Sequence, residues 1–73
     1  MDVKSYKKKL GLNIKHYRLL RGFTQASLGE KINLTETYIS LIENGHKNIS
    51  IETLYKFSQA LNVDTSKLFI FED

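Results

Sequence analysis

The stretch that decides the fold is Gln25-Ala26-Ser27-Leu28-Gly29-Glu30-Lys31-Ile32-Asn33-Leu34, continuing Thr35-Glu36-Thr37-Tyr38-Ile39-Ser40-Leu41-Ile42-Glu43-Asn44. Leu28 and Ile32 lie one helical turn apart, as do Ile39 and Ile42, and Leu34 joins them in closing the small core between the two helices. Between the two apolar sets stands Asn33, the residue after glycine that best tolerates positive φ. Thr24 and Thr35 are each placed to cap a following helix. Gly29 removes side-chain bulk where the second helix must cross the first. The pattern predicts two short helices joined by a tight turn, a helix-turn-helix from Gln25 to about Asn44. A second helix held at a steep angle by such a turn can enter the major groove of DNA.

Upstream, Tyr6, Leu10, Ile14 and Tyr17 predict a first helix that stops at Gly22, with Phe23 as the apolar contact that follows such a stop. Downstream, Ser50 caps a fourth helix presenting Leu54, Phe57 and Leu61. Asp64 is read as the cap of a short fifth helix carrying Leu68 and Phe69. Five short helices in 73 residues make an all-α, single-domain chain. Such a domain buries only about 60% of the surface its unfolded chain exposes, so a partner subunit could supply stability the core lacks.

Charge is distributed unevenly. The first 21 residues hold seven Lys/Arg (Lys4, Lys7, Lys8, Lys9, Lys15, Arg18, Arg21) against Asp2 alone, while the remainder holds four Lys/Arg against seven Asp/Glu. A basic end can meet phosphates while an acidic remainder faces solvent, the alternative being a merely solubilising first segment. Lys7, Lys8, Lys9, Lys15 and Arg21 are too many for one face of one helix, so some are plain solvated charges. There is no cysteine, which excludes disulfides and thiolate metal sites and suits a cytoplasmic location. No apolar run approaches the roughly 20 residues that span a bilayer, and the first ten residues lack a secretory signal's apolar stretch. His16 and His46 are isolated imidazoles, not a metal site. With no nucleophile–base pair, paired carboxylates or phosphate-cradling glycine loop, neither catalysis nor a cofactor nor a small-molecule ligand is expected.

Three further stretches carry a resemblance: Ile14-Lys15-His16-Tyr17-Arg18, Arg21-Gly22-Phe23-Thr24-Gln25 and Tyr38-Ile39-Ser40-Leu41-Ile42-Glu43-Asn44-Gly45. With Ile51-Glu52-Thr53-Leu54, Ala60-Leu61-Asn62-Val63 and Leu68-Phe69, they resemble the Cro and phage-repressor, or XRE, helix-turn-helix family. The likeness runs from Leu10 to Phe69. Glu43 to Ser50 is also similar to the stand-alone controller proteins of restriction-modification systems. Gly29 and Ser58 depart from the pattern, since the family often has alanine there. A helical glycine costs about 1 kcal/mol relative to alanine, and a buried Ser58 needs a hydrogen-bond partner such as a carbonyl one turn back.

The resemblance implies a compact five-helix, lambda-repressor-like domain. It implies that Arg18 pairs with Glu43, and that Gln25 meets a phosphate at the start of the second helix. Base reading falls to Glu36, Thr37 and Leu41, which point away from Ile39 and Ile42. Glu36 could accept from cytosine, Thr37 could bond a base edge or touch a thymine methyl, and Leu41 could contact a methyl. Glu36 could equally serve only the helix dipole. Thr35, Tyr38, Ser40, Asn44, Lys47 and Asn48 are assigned to phosphates, with ring packing the alternative for Tyr38. The expected function is a sequence-specific regulator of transcription that binds a pseudo-palindromic double-stranded DNA operator as a homodimer. Leu68, Phe69, Ile70 and Phe71 are the expected dimer surface, the alternative being that Phe69 and Ile70 complete the monomer core. Two other readings stay open: a protein-interaction module of the same fold, and the DNA-binding part of a longer repressor.

Overall fold

The computed structural model describes residues 2–71. Four α-helices follow in order: α1 (Val3–Leu20), α2 (Gln25–Ile32), α3 (Glu36–Glu43) and α4 (Ile51–Ala60). A 3-10 helix, Thr65–Phe69, closes the chain. No strand occurs among the described residues.

Each α-helix begins on a side-chain cap. Asp2 accepts from the Ser5 N–H before α1, Thr24 from Ser27 before α2, Thr35 from Tyr38 before α3 and Ser50 from Thr53 before α4. Such caps satisfy backbone donors that the first helical turn leaves open. At α2 the arrangement is reciprocal, because the Ser27 hydroxyl also accepts from the Thr24 N–H at 2.9 Å. The helix ends are equally local. Gly22, at φ 79°, ends α1, and the Phe23 N–H reaches back to the Arg18 carbonyl at 3.0 Å. Asn33 ends α2 in the left-handed conformation, φ 59°, and the Leu34 N–H bonds the Gly29 carbonyl at 2.8 Å. Asn62, φ 53°, plays the same part after α4.

The expected fifth helix is a 3-10 helix, not an α-helix. The Asp64 side chain makes no cap bond. Five residues can close few i→i−4 bonds, and the tighter ladder is the usual form of so short a piece. Thr65 is also held to the preceding helix, its hydroxyl donating to Ser58 Oγ at 3.0 Å. Ser58 in turn donates to the Tyr55 carbonyl at 2.8 Å, so the buried hydroxyl is satisfied.

One core runs through all five elements: Leu10 and Ile14 from α1, Leu28 and Ile32 from α2, Ile39 and Ile42 from α3, then Leu54, Phe57, Leu61 and Leu68. Of the apolar stripe read on α1, Leu10 and Ile14 are buried, whereas Tyr6 and Tyr17 sit at its edge. Helix α1 packs against α3, and α2 against both α3 and α4. Two glycines permit these crossings. A Cβ on Gly11 of α1 would collide with the carbonyl oxygens of Ile42 and Glu43 at the end of α3. A Cβ on Gly29 of α2 would collide with the Leu34 carbonyl oxygen.

The tail is built into this packing. Leu68 is fully buried. The Phe69 and Phe71 rings each lie 5.6 Å from the Tyr6 ring. Asn13 of α1 donates to the carbonyls of Leu68 at 2.8 Å and Ile70 at 3.0 Å. Leu68 therefore has no surface to offer a second subunit, and Phe69 and Phe71 are engaged within the chain. Ile70 alone of the four is exposed.

Candidate nucleic-acid interface

Helix α3 lies across α2 with its last turn buried and its first turn open. At the buried end, Arg18 and Glu43 form a two-pronged pair: Arg18 Nε to Glu43 Oε2 at 2.7 Å and Nη2 to Oε1 at 3.1 Å. Their side chains are 7% and 2% exposed. The third guanidinium nitrogen, Nη1, donates to the Phe23 carbonyl at 2.8 Å. Gln25 completes the cluster, its Nε2 donating to Glu43 Oε1 at 3.0 Å. One carboxylate thus ties the end of α1, the start of α2 and the end of α3. A planar guanidinium matched to a carboxylate fixes direction as well as distance.

At the open end, Glu36 and Thr37 are exposed, and Ser40 and Leu41 are half-buried. These four and Gln25 line one shallow cleft between the first turns of α2 and α3. The fold therefore brings the three base-reading candidates, Glu36, Thr37 and Leu41, beside two of the phosphate candidates. The Thr35 hydroxyl is occupied as the cap of α3, accepting from Tyr38 N–H at 3.0 Å. Tyr38 packs against the hydrophobic core, the alternative that the sequence left open for its ring. Asn44, Lys47 and Asn48 are exposed in and after the last turn of α3. Asn44 Nδ2 reaches Ser40 Oγ at 3.5 Å.

The cations of α1 divide by position. The backbone of Lys8 passes close to Gly45, leaving no room for a side chain there, so the start of α1 lies beside the loop that follows α3. Lys7 and Lys47 both border a small apolar groove between these segments. Arg21 serves another purpose: its Nε donates to the Leu61 carbonyl at 2.7 Å and its Nη2 to that of Asn62 at 3.3 Å. There it satisfies carbonyls and opposes the negative end of the α4 dipole. Composition alone could not separate Arg21 from the lysines. Gly11 and Asn13 also escaped the sequence reading, because what each touches comes from a distant part of the chain.

Among the described residues, no group of three or more His, Cys, Asp or Glu is placed to hold a metal ion. No helix is long and apolar enough to cross a membrane.

A helix-turn-helix family model matches residues 14–68. Control protein C.SmaI of Serratia marcescens is 34% identical over 68 residues, covering 93% of this chain and 77% of that protein. Control protein C.BamHI of Bacillus amyloliquefaciens is 36% identical over 62 residues, covering 84% of this chain and 76% of its own. The crystal structure of the restriction-modification controller protein C.AhdI from Aeromonas hydrophila superimposes with a TM-score of 0.85 at 26% identity, over 89% of this chain and 98% of that one. On this agreement of sequence, fold and helix geometry, the chain belongs to the helix-turn-helix family of the XRE type.

Proposed function

We propose that this protein is a sequence-specific, double-stranded-DNA-binding regulator of transcription that works in the cytoplasm as a homodimer on a two-fold operator. The observation that carries the reading is the cleft of Gln25, Glu36, Thr37, Ser40 and Leu41 on a helix whose other end is locked by Arg18 and Glu43. Its relatives named as control proteins support the same role.

Glu36, Thr37 and Leu41 are the base-reading residues. None is a cation, so they discriminate more than they attract. Affinity comes from phosphate contacts by Gln25, Thr35, Ser40, Asn44, Lys47 and Asn48. Gln25 spends one side-chain N–H on Glu43, which orients the amide; its other N–H and the first backbone N–H groups of α2 remain to meet a phosphate. Tyr38, with its ring against the core, is limited to a contact through its hydroxyl. A dimer related by a two-fold axis reads half-sites about 34 Å apart, one turn of the duplex.

A salt titration on duplex DNA tests the reading. Binding constants are expected to fall linearly on logarithmic axes as salt rises, in proportion to the phosphates neutralised. No binding to any duplex at low salt would overturn it and favour a protein partner.

A further inference from the structure

The groove between the start of α1 and the segment after α3 has an apolar floor. Leu10 and Ile42 are buried there, and Ile49 packs against the core from the loop. Val3 and Tyr6 extend the same face of α1 above Leu10, at helical spacing. Val3 is 71% exposed, an aliphatic side chain that the core does not use. The groove encloses about 290 Å³, at the lower end of the range for small-molecule sites, about 300–1,000 Å³. Its walls are fixed against each other at two glycines. A Cβ on Gly11 would collide with the carbonyls of Ile42 and Glu43, and one on Gly45 with the backbone of Lys8. A cleft held in this way is preformed, so filling it requires little ordering.

Charge sets the kind of occupant. Each wall carries one lysine, Lys7 from α1 and Lys47 from the loop, and no Asp or Glu is among the described residues that line the groove. Two cations beside an apolar floor complement an anion carried on an apolar body. The body displaces water from the floor, and the charge accepts charge-assisted hydrogen bonds from the lysines. The sequence led to no ligand because the two walls lie far apart along the chain.

We propose that this groove binds a small amphipathic carboxylate, its aliphatic chain on Leu10, Ile42 and Ile49 and its carboxylate between Lys7 and Lys47. Binding neutralises Lys47 and so lowers affinity for DNA. This second half rests on the DNA-binding reading above; the binding site itself does not. By linkage, a bound duplex lowers affinity for the carboxylate by the same factor.

Octanoate titrated into the full chain without DNA, followed through amide chemical shifts, tests the site. Saturable shifts are expected at the groove residues. Octanol lacks the charge and acetate lacks the chain, and each is expected to bind about tenfold more weakly or worse. Val3→Glu sets an acid at the groove in the first turn of α1, where an acid suits the helix dipole. Its circular dichroism should match the parent while its octanoate affinity falls about tenfold. Lys7→Ala should lose affinity to a similar extent. Absence of saturable shifts, shifts centred elsewhere, or octanol binding as tightly as octanoate would overturn the site. Duplex binding measured by fluorescence anisotropy tests the coupling: saturating octanoate is expected to weaken the parent about fivefold or more and to leave Val3→Glu unchanged at the same concentration. A parent that holds octanoate in the groove and binds duplex equally well would overturn the coupling and keep the site. A parent that holds octanoate and binds no duplex at low salt would overturn the DNA-binding reading, and the coupling with it.

Discussion

At its first turn α3 presents Glu36 and Thr37 to solvent; at its last, Ile42 and Glu43 are buried against α1. The open end holds uncharged or acidic groups with few partners of their own. The closed end holds a carboxylate with three side-chain hydrogen bonds and a backbone that permits only glycine opposite it. The contrast shows how a short helix can be fixed at one end and left open at the other. Eight residues are too few to hold a helix by their own propensity. Direction and stability come from groups withdrawn from solvent, leaving the side chains of the first turn open to solvent.

The sharpest way to break this division is at the closed end. Glu43→Ala leaves the Arg18 guanidinium buried without its carboxylate and frees Gln25. Loss of one member of a buried pair costs about 3–5 kcal/mol, a large part of the stability of so small a domain. Urea denaturation should show the loss, and an unchanged midpoint would mean the pair orients nothing.

The glycine contacts come next. Gly11→Ala forces a methyl group against the Ile42 and Glu43 carbonyls, and overpacking of this kind costs about 1–3 kcal/mol. Gly29→Ala gives a test of sign. Helix propensity alone says alanine stabilises by about 1 kcal/mol, whereas the Leu34 carbonyl says it destabilises. Thermal melts of the two variants should both fall below the parent.

These residues also show what a sequence reveals. Thr24, Thr35, Ser50 and Asn33 act on backbone groups within a few positions, and their roles were legible from local pattern. The apolar spacing likewise gave the buried residues of α2, α3 and α4. Gly11, Asn13 and Arg21 were not legible, since they serve the carbonyls of Ile42, Leu68 and Leu61 from far along the chain. Gly29 was read both as room for the crossing helix and as a cost relative to alanine; its closest neighbour, the Leu34 carbonyl, comes into place only once Asn33 has turned the chain. The tail was expected as the dimer surface, with completion of the monomer core by Phe69 and Ile70 as the alternative; within the chain the ring of Tyr6, expected inside α1's buried stripe, meets Phe69 and Phe71, and Ile70 is exposed. The cleft between α2 and α3 is lined by Glu36, Thr37 and Leu41, which the sequence singled out; the use of the Gln25 amide by Glu43 was not legible there.

At the open end the expected effects are smaller in stability and larger in choice. Thr37→Ala should leave the melting midpoint within about 0.5 kcal/mol of the parent, as for an exposed position. Binding should shift by about 1–3 kcal/mol at one operator position and not at others, the worth of a base contact. A uniform loss across sequences would assign Thr37 to a phosphate. Lys47→Ala should do the reverse: weaken all duplexes alike and reduce the salt slope by about 1. An unchanged slope would leave Lys47 a solvated charge.

We propose that the open turn of α3 reads bases. It is tested most directly by selecting bound duplexes from a randomised pool with the parent chain and with the Thr37→Ala, Leu41→Ala double variant. The parent is expected to enrich a two-fold consensus with half-sites about 34 Å apart, and the variant to lose preference at symmetric positions within both halves. Enrichment of no sequence by the parent, or the same consensus from both proteins, would contradict it.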